Sequence, residues 1–169
     1  MPESFAPLGR PDAAVLILGT MPSVRSLQKA QYYGHPQNAF WKLLFSLWEE
    51  PFQENYGDKC HFIEKHRLLL WDVLRDCRRP GGSADAAIAQ PHANDFMWLR
   101  QEYPRISAVF FNSANAARFY ERLVHPDPLA ALPKYTLPSS SPARAMRFED
   151  KRRAWEPLKS AWTVAIRQK

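Results

Sequence analysis

Four short apolar runs, each stopped by a small, polar or proline-fixed loop, constrain the fold of this chain more than any other feature. The first is Val15-Leu16-Ile17-Leu18-Gly19, and the second spans Leu68 to Leu74. The third, Ile106 to Phe111, ends at Asn112-Ser113, and the fourth, Lys134-Tyr135-Thr136-Leu137, runs into Pro138-Ser139-Ser140-Ser141-Pro142. Apolar runs of this length without polar alternation suit strands covered on both faces, the situation of a parallel sheet.

Helical patterns lie between the runs. Asn38 to Trp48 sets Phe40, Leu44, Leu47 and Trp48 on one stripe, and Asp58 to His66 reads as a short helix leading into the second strand. Asn94 to Glu102 carries Phe96, Met97 and Leu99, and Ala114 to Leu123 carries Ala116, Ala117, Phe119, Tyr120 and Leu123. Phe148 to Arg167 aligns Trp155, Leu158, Trp162 and Ile166 at three- and four-residue steps. Pro157 interrupts that pattern and predicts a kink or two short helices. Strands alternating with helices predict a three-layer α/β/α sandwich with a mostly parallel sheet of about four strands. With 169 residues, 46% of them hydrophobic, the chain is one domain, residues 1–169, able to build its own core.

Ligands of such sheets sit in the crevice beyond the carboxyl ends of the strands. That rule selects Gly19-Thr20-Met21-Pro22, Asp72 onward, Asn112-Ser113, and Leu137 to Ala143. Fifteen prolines fit a protein whose sites are built on ordered loops. Lys and Arg number 23 against 17 Asp and Glu, a net charge of +6 compatible with a polyanionic partner without requiring one. Two cysteines, Cys60 and Cys77, are too few for a multi-bridge scaffold or a four-thiolate cluster and fit reduced thiols in the cytoplasm. No apolar run approaches a membrane span, and Met1-Pro2-Glu3-Ser4 has no character of a signal peptide. There is no P-loop ending, no three-glycine dinucleotide fingerprint and no Gly-x-Ser-x-Gly elbow.

The loop after the first run, Gly19-Thr20-Met21-Pro22, is followed by Tyr32-Tyr33-Gly34-His35-Pro36-Gln37-Asn38-Ala39-Phe40-Trp41. Trp71-Asp72-Val73 with Cys77-Arg78, and then Leu137-Pro138-Ser139-Ser140-Ser141-Pro142-Ala143, complete an ordered set. Together these motifs resemble the uracil-DNA glycosylase superfamily, and most closely its hypoxanthine-DNA (deoxyinosine) glycosylase branch. Ser23 stands where the first loop of the family often carries a glycine-like position. The resemblance implies a four-stranded parallel sheet, a substrate of DNA containing a deaminated base, and hydrolysis of its N-glycosidic bond. It implies no metal or other cofactor, and the cysteine count disfavours the iron–sulfur branches. A uracil or G·T mismatch enzyme, and a catalytically silent DNA-binding member of the fold, are the alternatives. A monomer with no membrane attachment is the expectation.

The resemblance assigns the catalytic asparagine to Asn38, whose side-chain carbonyl suits orienting a water; an N-cap of the following helix is the other role open to it. His35 is a candidate donor to developing negative charge, or a loop residue bonded to backbone. Phe40 suits stacking on a flipped base, or packing beneath the loop, and one of Tyr32 and Tyr33 is expected to line the pocket. Asp72 is placed to read N1–H of hypoxanthine, or to pair with Arg75 or Arg78. Asn112 offers a donor and an acceptor to a lactam edge, or serves as a strand-end turn residue. Gly19, Thr20, Met21 and Pro22 bring backbone close to the base. Ser139, Ser140, Ser141 and Arg144 suit gripping phosphates, with Arg147, Lys151, Arg152 and Arg153 extending the basic run.

Overall fold

A computed structural model describes residues 3–168; Met1 and Pro2, where the N-terminal reading begins, lie outside the described residues, as does Lys169. The four apolar runs supply β1 (Val15–Gly19), β2 (Leu68–Asp72), β5 (Ala108–Phe111) and β6 (Lys134–Thr136) of one parallel sheet in the order β2-β1-β5-β6. Between them run α1 (Val24–Lys29), α2 (Phe40–Leu47), α3 (Tyr56–Lys65), α4 (Phe96–Glu102) and α5 (Ala114–Leu123), with α6 (Phe148–Ala165) after β6.

The unbroken hydrophobicity of the runs has a direct cause in the layering. Val15, Ile17, Leu68, Leu70 and Phe110 face one side, where α2, α3 and α6 bring Phe40, Leu44, Phe62, Trp155 and Leu158. Leu16, Leu18, Leu69, Trp71, Val109 and Phe111 face the other, against Phe96, Leu99, Ala116 and Tyr120 of α4 and α5. Neither face of β1 meets water, so no polar alternation is needed.

Several boundaries differ from the sequence-based expectation. The second run does not continue to Leu74 as one strand. Val73 N and Leu74 N donate to the carbonyls of Gly19 and Thr20, the chain turns, and Leu74–Arg78 begins β3. This strand pairs antiparallel with β4 (Ala89–Ala93), forming a separate two-stranded sheet that nothing in the pattern of Ala-Gln-Pro-His-Ala suggests. The first long helix starts at Phe40 instead of Asn38, and Ala39 occupies the N-cap position. Asn55 caps α3 from Asp58 N and Asp95 caps α4 from Trp98 N, which places their starts at Tyr56 and Phe96. Pro157 neither divides nor ends α6. It lies on the solvent side beside exposed Arg153, whose carbonyl it leaves unbonded and open to water.

Candidate active site

The parallel register brings the strand ends level. Gly19 lies beside Asp72, Leu18 beside Phe111, and Phe111 beside Thr136. A cleft of about 880 Å³ opens beyond this edge. Its walls carry Gly19, Thr20, Met21 and Pro22 from the β1 loop, Tyr33 and Asn38 from the next loop, and Asp72 from β2. Asn112, Ser139, Ser140, Ser141 and Arg144 complete the opposite side. Twelve of the candidate site residues, Tyr33 among them, line this one cavity, and Tyr32 borders it as well, where the sequence predicts only one of the two tyrosines; His35 and Phe40 do not line it.

Those two positions correct the sequence reading. Phe40 is fully buried in the core: its ring is stacked against Tyr33 at 3.9 Å and 18°, and meets Trp41 and Trp155 edgewise. Of the stacked pair, Tyr33 is therefore the cleft-side ring, with Phe40 as its backing. Tyr33 takes a left-handed backbone, φ 52°, a conformation that costs a non-glycine residue on the order of 1 kcal/mol and that the stacking helps sustain. His35 accepts at Nδ1 from Gln37 N at 3.1 Å while its carbonyl accepts from Asn38 N at 3.0 Å. It organises the turn that presents Asn38.

Asn38 is half-buried, and its Oδ1 accepts from Phe40 N at 2.9 Å. An amide oxygen has two lone pairs, so this bond fixes the rotamer and leaves a second acceptor site on the cleft side.

Asp72 is buried and touches the most constrained point of the cleft. A Cβ on Gly19 would sit 2.6 Å from Asp72 Oδ1 and 2.9 Å from the Tyr33 hydroxyl, so only glycine fits. Asp72 Oδ2 and the Tyr33 hydroxyl are both buried without a hydrogen-bond partner. Burial first, and the negative charge of Asp85 second, push the Asp72 carboxyl up to about 7, with Arg79 opposing. The pairing of Asp72 with Arg75 or Arg78 is not formed; Arg75 instead bonds Asp76 at 2.8 Å. Burial and the nearby Asp72 also raise the Tyr33 phenol, keeping it a neutral donor.

On the far wall Asn112 and Ser140 are both buried. Ser140 also accepts at its carbonyl from Ala39 N at 3.0 Å, tying the 137–143 loop to the residue after Asn38. Trp155 Nε1 donates to the Pro138 carbonyl at 2.8 Å. The expected basic run divides. Lys151 is buried and donates to the carbonyls of Ser141 and Arg144 at 3.3 and 3.0 Å, supporting the loop from beneath, with burial and then Arg144 lowering its pKa. Arg152 is spent on Ser46, and Arg147 and Arg153 pair with Asp150. Arg144 stays exposed on the cleft rim.

Sequence reasoning missed Asp85, Asn115 and Arg118, which also line the cleft. Asp85 sits on the β3–β4 connection, where its Oδ2 accepts from Thr20 Oγ1 at 3.1 Å and Asn115 Nδ2 at 3.3 Å. Arg79 donates from Nη2 to the Pro22 carbonyl at 2.6 Å, pinning the same segment to the β1 loop. Asn115 and Arg118 were legible only as continuations of the Asn112 strand end into the first turn of α5.

Comparison with known proteins agrees with this arrangement. Residues 6–163 match the family model described as the uracil DNA glycosylase superfamily. A protein named hypoxanthine DNA glycosylase from Methanosarcina barkeri is 31% identical, over 98% of this chain and 98% of the relative. Its namesake from Methanosarcina acetivorans is 34% identical over 85% of this chain and 89% of the relative. The solution NMR structure of a Methanosarcina acetivorans protein described as a uracil DNA glycosylase superposes with a TM-score of 0.81 at 31% identity, covering 95% of this chain and 98% of that one. On the strength of a family match across nearly its whole length, the chain belongs to the uracil DNA glycosylase superfamily.

Proposed function

We propose that this protein is a monofunctional DNA glycosylase that takes a deaminated base, hypoxanthine foremost, out of the duplex and hydrolyses its N-glycosidic bond to leave an abasic site. The observation that carries the reading is the meeting of Asn38, Tyr33 and Asp72 at one strand-end cleft, with two buried polar atoms there awaiting partners. The names of the Methanosarcina relatives support hypoxanthine as the base.

Each residue then has a distinct task. The flipped base lies on the open face of Tyr33, braced from behind by Phe40. Asp72 meets the N1–H/O6 edge, and the Tyr33 hydroxyl supplies a further donor nearby. Asn38 Oδ1 holds a water beneath C1′. The glycosidic bond breaks with its electron pair leaving on the base, the water oxygen bonds to C1′ and releases one proton, and the base takes up one proton, so that one water is consumed. Fixed donors aimed at the departing base stabilise that developing charge. Arg144 and the half-buried Ser139 and Ser141 hold phosphates of the strand that carries the target base. Asn112 and Ser140, which also line the cleft, hold the loop in place through their paired bonds.

The reading includes action as a monomer in the cytoplasm. Cys60 and Cys77 are free thiols, which suits a reducing compartment, and no helix among the described residues is long and apolar enough to cross a membrane.

Labelled duplexes containing inosine, uracil or a G·T mismatch, incubated with the protein and then treated with alkali at abasic sites, test both activity and base. Excision of inosine is expected, lost in Asn38→Ala with duplex binding kept within a few fold. Strand scission at uracil alone would move the assignment to the uracil enzymes, and binding without scission on every duplex would mark a silent member of the fold.

A further inference from the structure

Asp85 is not among the family motifs, yet it reaches the cleft from a separate sheet. The hairpin of β3 and β4 swings residues 83–86 over the cleft, and Asp85 is latched there by Thr20 and Asn115. Both latching groups are neutral donors, and among the described residues Asp85 has no ion-pair partner within 4.0 Å, so its negative charge stands uncompensated at short range. The buried neighbour that feels this charge is Asp72, whose Oδ2 has no partner.

We propose that Asp85 is a positioning residue that keeps the Asp72 carboxyl neutral, so that it presents one donor and one acceptor to the lactam edge of the base. The inference rests on the glycosylase reading for its substrate, and on both carboxyls lining one cleft for their coupling. A lactam edge offers one N–H and one C=O. A neutral carboxyl matches both, accepting from N1–H and donating to O6, whereas a carboxylate accepts once and repels O6. The contrast sharpens as the bond breaks, because charge then builds on the base and a carboxylate would oppose it. Two carboxyls lining one cleft disfavour each other's ionisation, and the buried Asp72, with an oxygen that has no partner, is the one whose neutral form this favours.

The other charged or titratable groups facing Asp72 fit this division. Tyr32 and Tyr33 are buried phenols that its charge would push further toward the neutral form. Arg79 acts in the opposite sense, but its Nη2 is committed to the Pro22 carbonyl.

The test combines two readouts. Carbon-13 NMR titration of the Asp72 carboxyl in the free protein is expected to give a midpoint of about 7, moved to lower pH in Asp85→Asn. Inosine excision under single-turnover conditions is expected to fall as pH rises through the same range, with that limb moved to lower pH in Asp85→Asn and absent in Asp72→Asn, whose amide offers a donor and an acceptor at every pH. Asp85→Ser serves as a second neutral variant if the amide disturbs the loop. A wild-type midpoint in the ordinary carboxylate range, an unmoved midpoint in both Asp85 variants, or a limb that persists in Asp72→Asn would overturn the proposal. A moved midpoint in a protein that excises no base would sustain the coupling and discard the glycosylase reading.

Discussion

Asn112 and Ser140 exchange two hydrogen bonds across the cleft edge: Asn112 Nδ2 donates to Ser140 Oγ at 2.8 Å, and Ser140 N donates to Asn112 Oδ1 at 2.9 Å. Both residues are buried, so neither group has water to fall back on. Ser140→Ala leaves the Asn112 donor short of a partner and is expected to destabilise the protein by about 1–3 kcal/mol, read from urea unfolding. Ser139→Ala, at a half-buried position, is expected to cost less than about 1 kcal/mol.

Tyr33 and Phe40 stack on each other, but only Tyr33 borders the cleft, and their substitutions separate accordingly. Tyr33→Ala is expected to weaken binding of a duplex carrying a non-cleavable inosine analogue by about 1–3 kcal/mol, the range for loss of one base–aromatic stack. Phe40→Ala empties a fully buried site and is expected to destabilise folding by about 3–5 kcal/mol. Tyr33→Phe removes a buried hydroxyl that has no partner and is expected to leave stability equal or slightly higher. Fluorescence anisotropy with the analogue duplex reads the first, and thermal melting reads the other two.

Asp72 also makes stability depend on pH, in the direction opposite to a salt-bridged carboxylate. Its folded pKa, about 7, lies above the ordinary value of 3.8, so between these limits the folded state holds a proton that the unfolded chain releases. Stability from this group is full below the lower value and declines as pH rises toward the upper one. Asp72→Asn removes the dependence and is expected to be more stable than wild type at pH 8, by up to about 4 kcal/mol at roughly 1.4 per pH unit. Urea unfolding of both proteins at pH 5 and pH 8 measures the difference.

Arg144 and Lys151 lie seven positions apart in one basic run, and their roles differ. Arg144→Ala is expected to lower duplex affinity and reduce the slope of log affinity against log salt by about 1, because one phosphate contact is lost. Lys151→Met is expected to leave that slope nearly unchanged while destabilising folding by on the order of 1 kcal/mol, because the carbonyls of Ser141 and Arg144 lose their donor. Fluorescence anisotropy across a salt series, with unfolding curves, separates them.

The parallel sheet was legible because its strands are buried on both sides and therefore write themselves as uninterrupted apolar runs. The crevice rule followed from topology, and so did most of the cleft. What stayed hidden depends on burial that a single sequence does not display. Phe40 and Tyr33 are both aromatic members of one motif, and only the left-handed backbone at Tyr33 decides which one faces the cleft. Lys151 reads as one more cation until the loop is seen to fold over it. Asp85 reaches the site through a hairpin whose second strand has a proline at its centre, no β-branched residue and no fully buried position.

The bond from Trp155 to the Pro138 carbonyl, together with its edgewise contact with Phe40, makes the C-terminal helix a structural part of the cleft. That helix supplies no residue proposed to touch DNA, yet it braces the serine loop at Pro138 and the ring behind Tyr33. A substitution that loosens α6 is therefore expected to lower excision without altering any residue proposed to meet the substrate.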